Sequence, residues 1–138
     1  MRIENCKKIL FPKIEDYRGN LAFVENLKHI PFEIKRIYYL FDIPKGSKRG
    51  GHAHKDLYQI IIPITGSFEV IIDDGSKSKR ILLDNADEGL LITPYIWREI
   101  ENFTEGSTAL VLASNFYDEK DYLRDYENFK THLSNEKK

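Results

Sequence analysis

Arg49-Gly50-Gly51-His52-Ala53-His54 is the stretch on which the interpretation of this chain turns. Side chains alternate faces along an extended segment, so His52 and His54 point the same way if the backbone is a strand. The glycines ahead of them permit a sharp turn, and Arg49 adds a permanent charge. From Leu57 to Ile64 the residues are mostly apolar, and Thr65-Gly66-Ser67 closes the run. That reads as a buried strand ending in a turn.

Before this stretch, Lys8 to Phe11 is a short strand candidate stopped by Pro12, and Asp16-Tyr17-Arg18-Gly19-Asn20 is a turn. Leu21 to Glu25 is a strand and Ile30-Pro31-Phe32 a connector. Lys35 to Phe41, rich in aromatic and β-branched residues, is a stronger strand. On it Arg36 and Tyr38 share one face, and Ile37, Tyr39 and Phe41 share the other. A small closed barrel with a polar pocket would turn Arg36 and Tyr38 inward. After the histidines, Ser67 to Asp73 alternates, Asp73-Asp74-Gly75-Ser76 makes a hairpin turn, and Lys79 to Leu83 returns. Leu90 to Ile92, Ile96 to Ile100 and Thr108 to Ala113 complete about nine or ten short strands, the spacing of a sandwich or barrel. In the tail, Asp118 is predicted to cap a helix with Tyr122, Leu123, Tyr126, Phe129 and Leu133 on its apolar face. Ser134 to Lys138 is expected to fray. With no linker or repeat, residues 1–138 read as a single domain.

The 138 residues suffice for one domain with a core. A net charge of -1 gives no reason to expect nucleic acid or an anionic membrane as partner. No apolar run approaches the roughly 20 residues of a spanning helix. Met1 to Asn5 lacks the apolar run of a signal peptide, and the single Cys6 excludes an internal disulfide. Both point to a cytoplasmic protein. Cys6 reads as a core residue, and His29 and His132 as surface residues.

The chemistry-bearing residues are His52, His54 and Arg98, with Tyr38, Arg36 and Arg49 near them. Imidazole has an unperturbed pKa of about 6.5, so it can accept and return a proton near neutrality. Arg98 would hold an oxyanion or phosphate, and a cation there stabilises an enolate. The structural alternative is a histidine pair hydrogen-bonded inside the barrel.

Gly51, His52-x-His54, a polar Gln59 five positions on and Gly66 seven further resemble the first motif of the cupin barrels. Gly89, Pro94 to Arg98 and Asn102 resemble the second. Two ligand positions of a cupin metal site depart: Gln59 stands where Glu is usual, and Arg98 where the last His is usual. Arginine has no lone pair to give a metal, and a catalytic metal generally needs about three protein ligands. No metal and no other cofactor is expected, and the arginine argues against a metal-dependent dioxygenase.

Five stretches, in order and over nearly the whole chain, resemble the sugar 3,4-ketoisomerases of nucleotide-linked deoxysugar pathways. They are Asp16 to Leu21, Ile30 to Tyr39, Arg49 to Lys55, Pro94 to Glu99 and Leu112 to Tyr122. The resemblance implies an all-β cupin, a double-stranded β-helix or jelly-roll barrel with a short C-terminal helix. It implies movement of the carbonyl of dTDP-4-keto-6-deoxyglucose from C4 to C3, through an enediol, on the way to dTDP-3-amino-deoxysugars. It implies no metal, and a homodimer with an exchanged N-terminal strand. It would place His52, His54 and Tyr38 at the reacting carbons, with Arg18 and Arg98 around the sugar; Arg36, Arg49 and Gln59 are further substrate-binding candidates from their positions in the chain. Arg18 is similar to enzymes giving the galacto product and Arg98 to those giving the gluco product, so the configuration at C4 stays open. The alternatives are a dTDP-sugar 3,5-epimerase, which needs a further base at C5, and a non-catalytic cupin that binds a nucleotide sugar.

Overall fold

Alternation of apolar and polar residues organises the described residues into twelve strands, one α-helix and two short 3₁₀ turns. The structure is a computed structural model that describes residues 2–136. The strands are β1 (Lys7–Leu10), β2 (Lys13–Asp16), β3 (Gly19–Ala22), β4 (Arg36–Leu40), β5 (Arg49–His54) and β6 (Gln59–Thr65). They continue as β7 (Phe68–Asp73), β8 (Ser78–Leu83), β9 (Glu88–Ile92), β10 (Trp97–Glu101), β11 (Thr108–Ala113) and β12 (Tyr122–Leu123), before helix α1 (Tyr126–Glu136). Among the described residues no helix is long and apolar enough to cross a membrane.

Two five-stranded sheets form the body, in the orders β1-β9-β6-β11-β4 and β12-β5-β10-β7-β8. Neighbours in both sheets run antiparallel. The inward rows of the two sheets make the main core: Ile61, Phe68, Val70, Ile72, Leu90 and Val111 are all fully buried. Cys6 belongs to this core, as expected. The outer face of the first sheet, at Ile60, Ile62, Leu91 and Leu112, is covered by Phe11, Ile30 and Phe32. The outer face of the second is covered by α1, whose Phe129 and Leu133 pack with Trp97, Ala53 and Leu123. Each buried Val, Leu, Ile or Phe side chain among these contributes about 1.5–3 kcal/mol of transfer free energy. Gly66 (φ 69°) makes the β6–β7 turn, where a Cβ would sit 2.5 Å from Ser107 Oγ. Only glycine accepts both conditions.

β2 and β3 form a hairpin apart from both sheets, and every one of their residues is exposed. The strand expected at Leu21 to Glu25 is this β3, which begins at Gly19 and ends at Ala22. The tail also departs from expectation. Asp118 caps a 3₁₀ turn over Glu119–Asp121, not the helix. Tyr122 and Leu123 pair with His54 and Ala53 as an edge strand, because β5 offers them an open ladder. The helix starts only after Asp125, whose carboxylate accepts the N–H of Asn128 at 3.1 Å as an N-cap. Ser134 and Asn135 are helical where fraying was expected, and Lys137 and Lys138 lie outside the described residues.

Candidate active site

Register decides what points into the barrel. In the first sheet Arg36 lies opposite Ala113, and Tyr38 opposite Val111. The alternation of β4 thus turns Arg36 and Tyr38 inward and leaves Ile37 and Tyr39 exposed. In the second sheet His52 is paired with Arg98, but Arg49 is paired with Ile100, so β5 holds an extra residue there. A bulge of this kind bends its strand and re-aims side chains. Gly50, at φ 75°, supplies the left-handed residue, and a Cβ there would lie 3.7 Å from the Arg98 guanidinium carbon.

These elements enclose a cavity of about 330 Å³. Arg36, Tyr38, His52, Arg98, Tyr122 and Arg124 line it, and Arg49 stands at its edge. The lining carries arginines and no carboxylate, so it suits an anion. His52 and Arg98 are 8% and 2% exposed. Nη2 of Arg98 donates to the Tyr38 hydroxyl and to His52 Nε2, each at 3.0 Å. A guanidinium only donates, so Nε2 of His52 is the acceptor and its proton sits on Nδ1. Behind His52 lies His54, edge-on with ring centroids 4.8 Å apart. Its Nδ1 is 3.0 Å from Asp121 Oδ2. The Tyr122 ring packs against both imidazoles, at 5.0 and 4.3 Å, and carries the Arg124 guanidinium 4.2 Å above its centre. Arg124 is held in turn by Glu119, at 2.6 and 2.9 Å, and Tyr117 also bonds Glu119. Arg36 lies between the rings of Tyr38 and Tyr117, at 5.3 and 5.5 Å.

The electrostatics follow from burial and this excess of cations. Burial, then Arg98, pushes His52 down to about 2, and the same two causes push His54 down to about 3. Both imidazoles are neutral at pH 7 and hold a free or shared lone pair. Nε and Nη1 of Arg98, Nε of Arg36 and Nε2 of His54 are buried with no protein partner. Buried polar groups are normally satisfied, so these are the atoms offered to a ligand or to water.

The structure thus brings together His52, His54, Tyr38, Arg36, Arg49 and Arg98. Gln59 is wholly buried on the inward row with Ala113 and Arg36, but it is not part of the cavity wall. Both polar atoms of its amide lack a partner. Arg18 stands apart from these: it lies in the β2–β3 turn, its side chain 75% exposed and bound to Asp16 at 2.7 Å, outside the cavity of its own chain. Charge and turn propensity do not reveal where a hairpin projects. Asp121, Tyr122 and Arg124 escaped the sequence reading because a helical period was assigned to them. The signal was a period of two, since Leu123 faces the helix and Tyr122 and Arg124 face the cavity. Among the described residues no three His, Cys, Asp or Glu side chains cluster as a metal site.

Two facing antiparallel sheets with paired histidines and arginines between them define a cupin-fold protein with a polar small-molecule cavity. More particularly, the chain belongs to the FdtA family, described as WxcM-like, C-terminal, whose pattern matches residues 4–134. It is 46% identical over 128 residues to TDP-4-oxo-6-deoxy-alpha-D-glucose-3,4-oxoisomerase of Aneurinibacillus thermoaerophilus, covering 93% of this chain and 92% of that one. A 3,4-ketoisomerase from Helicobacter canadensis superposes with a TM-score of 0.92 at 46% identity, covering 94% of this chain and 98% of that one. QdtA, a sugar 3,4-ketoisomerase of Thermoanaerobacterium thermosaccharolyticum solved with TDP, superposes with a TM-score of 0.94 at 39% identity, over 98% of each chain.

Proposed function

We propose that this chain is a sugar 3,4-ketoisomerase acting on dTDP-4-keto-6-deoxyglucose. The observation that carries the reading is the contact of Arg98 Nη2 with His52 Nε2 and the Tyr38 hydroxyl, each at 3.0 Å. It sets a neutral base, a hydroxyl and a fixed cation around one point. The family and its 3,4-ketoisomerase relatives support it over the alternatives.

The C3 proton of the substrate is acidified by the neighbouring carbonyl. His52, the histidine on the cavity wall, takes it on Nε2 as the Arg98 Nη2 donor turns from that nitrogen to the substrate oxygen. Negative charge gathers on O4 and is stabilised by Arg98 and Tyr38, an effect worth about 3–4 kcal/mol per well-placed donor. His54 exchanges the hydroxyl proton between O3 and O4, and a proton returned to C4 completes the 3-keto product. No net oxidation occurs and no cofactor is consumed. The other arginines of the cavity, Arg36, Arg49 and Arg124, suit a diphosphate. Gln59, buried behind the cavity wall, takes no direct substrate contact in this reading. The reading includes no metal, because the His52 lone pair is already engaged by a guanidinium that would repel a cation. A 3,5-epimerase would need a base at C5, and neither His29 nor His132 is on the cavity wall. A cytoplasmic location suits the single unpaired cysteine.

The reading also includes a homodimer with an exchanged N-terminal element. β1 lies beside its own β9, so the element to exchange is the β2–β3 hairpin. An isolated two-stranded hairpin is marginal in water. Edge strand β4 and the residue that follows it offer Ile37, Tyr39 and Phe41, 56–60% exposed, as an apolar surface for it. Crossing would carry Arg18 toward the neighbour's cavity and give it a substrate role that it lacks in its own chain.

Incubation with dTDP-4-keto-6-deoxyglucose in D₂O, read by proton NMR, tests the function. Formation of the 3-keto isomer with deuterium on the ring is expected, and its C4 configuration is read from the same spectrum. Binding without exchange would mean a non-catalytic cupin, and exchange at C5 an epimerase.

A further inference from the structure

Three consecutive residues of the chain, His54, Lys55 and Asp56, all bond to Asp121. Oδ2 meets His54 Nδ1 at 3.0 Å, the backbone carbonyl accepts the N–H of Lys55 at 3.0 Å, and Oδ1 accepts the N–H of Asp56 at 2.8 Å. The carboxylate has one oxygen for the backbone and one for the imidazole, so neither bond competes with the other. Both partners are secluded, with side chains 5% and 15% exposed. The neighbouring Tyr122 ring, 4.3 Å from the His54 ring, blocks rotation of the imidazole.

We propose that Asp121 is a positioning residue that holds His54 in a single tautomer, with its proton on Nδ1 and its lone pair on Nε2. An ionised carboxylate can only accept, so the nitrogen facing it must carry the proton. Nε2 is then the sole nitrogen of His54 able to take a proton, and it is buried without a protein partner. His52 has no such anchor: its orientation rests on Arg98. The two histidines are therefore set by different devices, one anionic and one cationic. The role of Asp121 in turnover rests on the ketoisomerase reading above, whereas the tautomer does not.

Asp121→Asn is the informative change. The amide oxygen keeps the bond to the Asp56 N–H, which leaves its NH₂ facing His54 Nδ1. That group donates, so Nδ1 must become the acceptor and the proton moves to Nε2. Nitrogen NMR of the full chain labelled on histidine, with His54 assigned from a His54→Gln variant, should show Nδ1–H in the wild type and Nε2–H in Asp121→Asn. Turnover of dTDP-4-keto-6-deoxyglucose should fall about 10²-fold or more, the usual scale of an acid–base group, with KM nearly unchanged. An Nε2–H tautomer in the wild type would overturn the proposal even if the variant does not fold. So would wild-type turnover in Asp121→Asn. A wild type that displays the Nδ1–H tautomer but isomerises no nucleotide sugar would leave Asp121 as assigned and reject the ketoisomerase reading instead.

Discussion

One nitrogen of Arg98, Nη2, serves both Tyr38 and His52, each at 3.0 Å. The two contacts come from opposite sheets, β4 and β5, so this guanidinium ties the barrel walls together at the cavity. It also leaves Nε and Nη1 buried without protein partners. A buried cation so poorly paired is costly to folding and useful to a developing oxyanion.

That conflict predicts opposite effects on stability and activity. Arg98→Met should keep the fold and raise the melting temperature by a few degrees, since replacing buried charge with apolar volume is often stabilising by about 1–4 kcal/mol. Turnover should fall about 10²-fold or more, the scale of losing an oxyanion donor. Thermal unfolding and initial-rate assays check the pair. A variant that is both less stable and fully active would show that Arg98 serves structure.

His52→Asn and His54→Asn should each lower turnover about 10²-fold or more, while nucleotide-sugar binding survives on the arginines. Calorimetric titration with dTDP, beside the D₂O exchange assay, separates the two effects. A variant with unimpaired turnover would move the search for the base to Tyr38.

Stability should depend on the histidines in a defined pH window. In the folded chain His52 is held down to about 2 and His54 to about 3, against 6.5 for the unperturbed group. Below 6.5 the unfolded chain therefore binds protons that the folded chain refuses, so stability is full above that pH and is lost as the pH falls. Carboxylates lowered by their partners, such as Glu119 and Glu101, start from 4.5 and act at lower pH. The melting temperature should accordingly fall between pH 6.5 and about 5, and a His52→Asn/His54→Asn double variant should flatten that slope. An equally steep slope in the double variant would assign it to other groups.

The apolar edge strand predicts the assembly. Tyr39 and Phe41 are 60% and 59% exposed and lie 5.7 Å apart as ring centroids. Replacing both with Lys puts charge on the surface proposed to receive the neighbour's hairpin, as natural edges do to avoid pairing. Sedimentation at micromolar concentration should show a dimer for the wild type and a monomer for the double variant. A monomeric wild type would remove the exchange and with it any substrate role for Arg18.

The sequence by itself determined most of the strands, though not β2 or β12, and which side chains of the site share a face. Period-two alternation is local, so the shared face of Arg36 and Tyr38 and that of His52 and His54 were legible from single segments, whereas the barrel class rested on strand spacing and motif order along the whole chain. The pairing of Arg98 with His52 was legible only through motif position, since the two residues lie 46 positions apart. Tertiary structure alone decided the rest. Residues 122–123 became a strand because β5 had an unpaired edge, and a free ladder outweighs a modest helical period. Asp121 joined His54 across 67 positions for the same reason. Arg18 was placed by where its hairpin projects, which depends on what the rest of the chain leaves uncovered. The depressed pKa values of the histidines likewise arise from burial and from guanidiniums brought in by other strands, and no local pattern records either.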